Sequence, residues 1–440
     1  MKRIVKLFLL IACMIAACFQ PAYAKYHEAE IRRVLTDFRL YDQDLSPVNT
    51  LYENGKRTYI FQNHLKVEMN ESGELLSLFQ INEMVNNSNY PQKAVMHLED
   101  FDNVINDLYQ KKYIPSEYTA RYNHLYGDDI WIIVFEREYQ NNLENSYDSI
   151  KMGFDAVTGM ILFYKRITDF CDVTSPKLTS DEANQILNRL IENLRIKDKF
   201  QNDPKLAIKR LFDHDGNFTE NYQLEYIFKS DSGNTEIWVN AIDGSVDAVE
   251  TAESYDSNSF YLYDTNTTNN NYRMTRAINY QTILGNLGYL SSITYLPSSS
   301  SSRQTMLDYI GGYNSWGFTF SGHGSPTEIG TYYNTVRIYP YDITGIWSFV
   351  VLDACNTGTN TWANSFGIYD YNNYGRSFIG WSESVTPVKA NTFSWYFRSA
   401  MASNTSSSVY ANVYTAIANI PGNDVYYVTY IGDRTTNGHK

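Results

Sequence analysis

Gly73, Gly159 and Gly244 close three copies of one short pattern, at intervals of 86 and 85 residues. Each copy is an apolar strand, a polar turn ending in glycine, and a second strand: Val67 to Leu76, Phe154 to Leu162, and Val239 to Val246. Such a turn needs a positive φ, which glycine adopts without a Cβ penalty. Self-similarity at a fixed period makes the front of the chain a set of repeated modules rather than one irregular domain.

The later copies share an order of elements. Helical spacing at Ala94 to Tyr109 and Ser180 to Leu194 precedes strands such as Trp131 to Glu138 and Tyr222 to Phe228. Thr179-Ser180-Asp181-Glu182 offers a capped start, and Ala183, Ile186, Leu187, Leu190 and Ile191 then fall on one face. The expected module is α+β, a helix packed on an antiparallel sheet. It resembles the PepSY domain and related propeptide modules of secreted bacterial peptidases, whose signature is a strand, an Asp/Asn-x-x-x-Gly turn and another strand. The first copy is shifted by one residue. The resemblance implies an intramolecular chaperone or inhibitor, in a first partial repeat (residues 25–90), a second (91–175) and a third (176–253). Read only as small α+β units, the modules carry no chemistry. His27, His64, His97, His124 and His214 lack metal-ligand spacing and read as surface or core histidines. Asp213-His214-Asp215-Gly216-Asn217 reads as a turn, because a calcium loop would close on an acid where Leu224 stands. No cofactor or metal is expected.

A chain of 440 residues exceeds what one core organises, and 43% hydrophobic residues supply material for several. A net charge of −13 without a Lys/Arg cluster argues against nucleic acid as a partner. Lys2, Arg3 and Lys6, the apolar stretch Val5 to Phe19, and Ala22-Tyr23-Ala24 read as an export signal over residues 1–24. Two processing outcomes fit: free secretion from Lys25, or a lipoprotein, because Ile15-Ala16-Ala17-Cys18 resembles a lipobox whose Cys18 carries the lipid. The stretch is shorter than the roughly 20 residues of a membrane span, and no later segment is apolar enough. With Cys13 and Cys18 in the signal, only Cys171 and Cys355 enter the folded part, which is no disulfide framework. One bridge between them is the bland alternative to a reactive thiol.

After Glu253 short apolar strands alternate with helices, the pattern of an α/β domain (residues 254–440) with a mainly parallel sheet covered on both faces. Strands are expected at Phe260 to Tyr263, Ile293 to Leu296, Trp316 to Ser321, Phe349 to Asp353 and Phe378 to Trp381. Helices are expected at Thr275 to Leu287, Ser302 to Tyr309, Asn391 to Ser403 and Ser408 to Ala418. Ligands bind beyond the carboxyl ends of strands in such sheets. Two strands end suggestively, in Phe320-Ser321-Gly322-His323-Gly324 and in Leu352-Asp353-Ala354-Cys355-Asn356. An imidazole facing a thiol is what nucleophilic cysteine catalysis requires.

These two blocks, in this order, resemble the caspase-like clan of cysteine peptidases, which includes caspases, legumain, clostripain and gingipains. The resemblance runs from about Phe260 to the C-terminus. It implies His323 as acid/base, Cys355 as nucleophile, and the backbone N–H groups of Gly324 and Cys355 as oxyanion donors. It places Asp353 where relatives line the pocket for the residue before the scissile bond, favouring Arg or Lys, with Trp381, Ser382 and Glu383 on the adjoining wall; Glu383 is the alternative determinant. The whole then reads as a secreted zymogen with a peptide or protein substrate, an intramolecular propeptide, and a cleavable linker at Ser254 to Ser259 or Asp264 to Asn271. Two rivals stay open: a noncatalytic cell-surface protein using the same scaffold, and an acyl-transferring transpeptidase. No zinc helix, serine elbow or phosphate loop competes.

Overall fold

The computed structural model describes residues 28–40, 47–61, 65–80, 96–126, 129–139, 143–168, 175–194, 196, 198–213, 218–233, 235–251, 267–288, 300–310, 317–330, 337–370, 374–403, 405–422 and 427–438. The expected export signal, the linker at 254–259, the strands expected at 260–263 and 293–296, Cys171 and His439 lie outside the described residues.

Each front module is a helix followed by four antiparallel strands. The first holds α1 (residues 28–37), β1 (Asn49–Glu53), β2 (Lys56–Ile60), β3 (Lys66–Asn70) and β4 (Leu75–Phe79). The second holds α2 (Asp102–Gln110), β5 (Tyr118–Tyr126), β6 (Ile130–Arg137), β7 (Asp148–Asp155) and β8 (Ile161–Thr168). The third holds α3 (Ser180–Leu194), β9 (Lys205–Phe212), β10 (Phe218–Lys229), β11 (Thr235–Asn240) and β12 (Val246–Thr251). The first copy, expected to be partial, is therefore a whole module. β4 pairs with β8, which merges the first two modules into one sheet of order β1-β2-β3-β4-β8-β7-β6-β5; the third has its own, β12-β11-β10-β9.

The repeated turn has a physical basis in its first residue. Asp155 Oδ1 accepts the N–H groups of Val157 (2.9 Å) and Thr158 (2.6 Å), and Asn240 Oδ1 accepts those of Ile242 (2.9 Å) and Asp243 (3.3 Å). The Asx side chain thus shapes the turn that Gly159 (φ 72°) and Gly244 (φ 78°) close. α3 starts as its sequence predicts: Glu182 accepts the Thr179 N–H at 2.8 Å, and Thr179 Oγ1 accepts the Glu182 N–H at 3.2 Å.

The back half comprises α4 (Thr267–Asn286), α5 (Ser300–Ile310), β13 (Gly317–Ser321), β14 (His323–Gly324), β15 (Ile329–Gly330), β16 (Arg337–Ile338), β17 (Phe349–Asp353), α6 (Asn360–Ser365), β18 (Ser377–Trp381), α7 (Pro387–Ser403), α8 (Val409–Asn419) and β19 (Val428–Gly432). Strands β13, β17 and β18 run parallel, and β19 closes the edge antiparallel to β18. Alternation along β17 serves both faces. Phe349 and Val351 join a core with α4, α7 and α8, while Val350 and Leu352 join another with α5 and α6. α4 begins at Thr267, inside the stretch 264–271 expected to be an exposed loop.

The first of those cores does not stop at the back half. Tyr126, Ile130, Ile132, Val134, Leu162 and Phe163 of the second module belong to it with Tyr410, Tyr414 and Ile417 of α8. The opposite face of the eight-stranded sheet packs under α1 and α2 through Val34, Phe38, Phe101 and Leu108. Among the described residues no helix is long and apolar enough to cross a membrane.

Candidate active site

β13 and β17 pair in parallel from Gly317↔Phe349 to Ser321↔Asp353, so both strands end at one level. His323 stands two residues past the first end and Cys355 two past the second. The chain after β13 turns back at once: His323 pairs antiparallel with Gly330 in β15, and Gly324 with Ile329. The turn is pinned by Trp362 of α6, whose Nε1 donates to the Ser325 carbonyl at 3.0 Å. Gly324 lies hard against the segment carrying the thiol. A Cβ there would stand 2.6 Å from the Cys355 carbonyl oxygen and 2.7 Å from Ala354 Cβ, which is why glycine follows the histidine.

The turn beyond Cys355 is fixed and strained. Asn356 has a φ of 56°, the left-handed region that non-glycine residues enter at a cost of order 1 kcal/mol. Its N–H donates to the Glu383 carbonyl at 3.1 Å, and its side chain to Ser384 Oγ at 3.4 Å. Thr357 Oγ1 reaches back to the Leu352 (2.8 Å) and Ala354 (2.7 Å) carbonyls. Cys355 is free of any disulfide, which removes the bridge to Cys171. Its sulfur is 0% exposed and bracketed by one residue: the Val385 N–H donates to Sγ at 3.2 Å, and Sγ donates to the Val385 carbonyl at 3.5 Å. His323 is 1% exposed. The histidine and cysteine blocks are thus brought together, and no peptide reaches the sulfur while Val385 sits there.

The expected substrate pocket is arranged otherwise. Asp353 faces inward: Oδ1 accepts Trp381 Nε1 at 2.9 Å, and Oδ2 accepts Ser321 Oγ at 3.0 Å and lies 2.7 Å from Arg276 Nε. Arg276, from α4, is fully buried and donates from Nη1 to the Pro387 carbonyl at 3.1 Å. The carboxylate expected to select an incoming guanidinium already holds an internal one, and Trp381 is its support rather than a wall. Tyr280 beside the pair is driven far above the usual phenol range by burial and by the Asp353 charge. Ser382 and Glu383 are exposed, as wall residues should be. Ser382 is anchored by its N–H on the Tyr427 carbonyl at 2.7 Å.

The loop that brackets the sulfur also meets the front half. Glu383 lies close enough to His124 of β5 to pull its imidazole upward, though burial dominates and holds it below its ordinary value. Three residues past Val385, the Val388 N–H donates to Glu250 of β12 at 3.4 Å, and Val388 packs on Ala207, Ile227 and Trp238 of the third module. Arg276 and Val385 carried no sequence motif, and Asn356 stood in the cysteine block without a role of its own. Only Pro387, a helix-start signal after Val385-Thr386, marked where the bracketing loop ends. Among the described residues no group of three His, Cys, Asp or Glu side chains could hold a metal ion.

No family model and no curated protein matches the chain. Among solved structures, the Bacillus megaterium YpeB C-terminal domain aligns with a TM-score of 0.34 and 16% identity, covering 51% of this chain and 96% of that one.

Proposed function

We propose that the chain is a secreted cysteine endopeptidase of the caspase-like kind, made as a zymogen whose front modules hold the site closed. One observation carries this reading. Two parallel strands in register end together and present His323-Gly324 against Ala354-Cys355, the two residue types that thiol catalysis needs. In the working enzyme the Cys355 sulfur attacks the scissile carbonyl carbon. The thiol proton passes to His323, which hands it to the leaving amine, and water then cleaves the thioester. The Gly324 and Cys355 N–H groups serve the oxyanion. Before any of this, Val385 withdraws from the sulfur. With Arg276 in place Asp353 is spent, so exposed Glu383 is the carboxylate left to favour a basic residue before the scissile bond.

The test uses residues 25–440 beside a Cys355→Ala twin, each incubated with Arg-, Lys-, Asn- and Asp-terminated fluorogenic peptides and followed by intact mass. Cleavage or self-processing by the wild type alone establishes the peptidase, and transfer to an added amine in place of hydrolysis identifies a ligase. Silence from both, also after the chain is cut between residues 253 and 254 with the two pieces left together, makes the chain a noncatalytic surface protein. The sealed thiol and the Asp353–Arg276 pair are the observations on that side.

A further inference from the structure

We infer that the first two modules are a permanent noncovalent partner of the back half, so that cutting the chain between the halves yields a two-fragment complex rather than a freed domain. The inference starts from α8. Its sequence, Val409 to Asn419, buries Val409, Tyr410, Ala411, Asn412, Val413, Tyr414, Ala416, Ile417 and Ala418, which leaves only a half-buried edge at Thr415 and Asn419. A helix buried over most of its circumference needs cover from more than one neighbour. The back half supplies α7 on one side, and the second module supplies β6, β7 and β8 on the other. Tyr126 and Tyr414 meet edge to face across this seam, centroids 5.1 Å apart. Parting the halves would bare a contiguous apolar patch on each, of the kind that soluble monomers keep covered.

Polar contacts set the seam's register. Lys151 of β7 is wholly buried, and its Nζ donates to the carbonyls of Ile417 (2.9 Å) and Ile420 (2.6 Å), at the C-terminal end of α8. As an ammonium it complements the negative end of the helix, and it satisfies carbonyls that the helix leaves open. At the other end of α8, Arg434 pairs with Asp129 of the second module at 2.6 Å and lies over the Tyr410 ring, 5.0 Å from its centroid. A detachable inhibitor would cover a finished domain; here the front sheet completes the core in which Cys355 itself sits.

In the zymogen reading, on which this consequence rests, opening the site comes from the loop at Val385 and the third module, not from loss of the whole front half. The experiment introduces a site-specific protease sequence between residues 253 and 254 of the full Cys355→Ala chain, where no catalysis intervenes. After complete cutting, the two fragments are expected to co-elute in gel filtration, and Lys151→Met is expected to weaken their complex about tenfold or more. Separate elution of folded fragments overturns the inference. If the insertion prevents folding, hydrogen exchange on the uncut chain decides. Equal protection of residues 409–419 and β7, lost together in Lys151→Met, supports the shared core. Unaltered protection of 409–419 in that variant overturns it.

Discussion

The second and third front modules have the same helix and four strands, yet they touch the back half in opposite ways. The second commits a whole sheet face, with Ile132, Val134 and Phe163 inside the core that runs to Cys355. The third keeps its main core, under α3, apart from the back half, and offers Ala207, Ile227 and Trp238 with the Glu250 carboxylate to the start of α7. Phe218 adds ring contacts to Trp395 and Tyr396, at 5.4 and 5.9 Å. One fold unit thus serves as a wall in one position and as a lighter contact, on the helix that follows the sulfur-bracketing loop, in another. The difference lies in which face is apolar, not in the fold.

The comparison breaks most readily at Tyr414, wedged between Tyr126 and Tyr410. Tyr414→Ala is expected to cost about 4 kcal/mol in urea unfolding, with both halves melting together. A back half that stays folded alone would show the wall to be superfluous. Next in size is Arg276→Ala, which leaves Asp353 charged and buried; a loss of about 3 kcal/mol is expected. Arg276→Ala together with Asp353→Asn should recover much of it, since the uncompensated charge is then gone.

A smaller effect concerns the third module's own sheet. Glu225 is buried beside Asp247 and Asp243, and burial first, then the Asp247 contact, pushes its carboxyl from about 4.5 up to about 9, against the pull of Lys209. A carboxyl raised on folding gives stability that is fully present below about 4.5 and drains away as pH rises toward 9. Glu225→Gln should flatten this slope and add about 1 kcal/mol at pH 8, read by thermal melts from pH 5 to 9. An unchanged slope would place the titration elsewhere. Smallest in stability is Glu250→Ala, under about 1 kcal/mol. Its expected consequence is faster alkylation of Cys355, which distinguishes this lighter contact from a wall.

Much of this architecture was legible in the chain. Phe349 to Asp353 reads as a strand because five apolar or strand-end residues follow one another between polar turns, and Ser180 to Leu194 because its cap and apolar face agree. Ser408 caps α8 through the Ala411 N–H at 3.1 Å, one residue before the helix proper. The first module's hairpin had a signal too. Asn54-Gly55, with φ of 50° and 73°, is the favoured hairpin dipeptide, but flanking Leu51 and Tyr52 are exposed, so no alternation drew attention to it. α4 begins in Thr267 to Asn271, residues of weak helix propensity, so its start carried no signal in the sequence. At the site, the histidine and cysteine blocks stood out because strand ends and glycines mark them. Arg276 did not, since its partner lies 77 residues along the chain and only folding brings guanidinium and carboxylate together.

The most direct test of a masked catalytic thiol is the rate at which iodoacetamide labels Cys355 near neutral pH, mapped by peptide mass, in the wild type, in Glu250→Ala, and in Glu250→Ala with His323→Ala. Slow labelling, faster labelling on loosening the Glu250 contact, and a return to slow labelling without the imidazole are the expected series. If the loosened variant labels equally fast with and without His323, the two residues are neighbours without a shared chemistry.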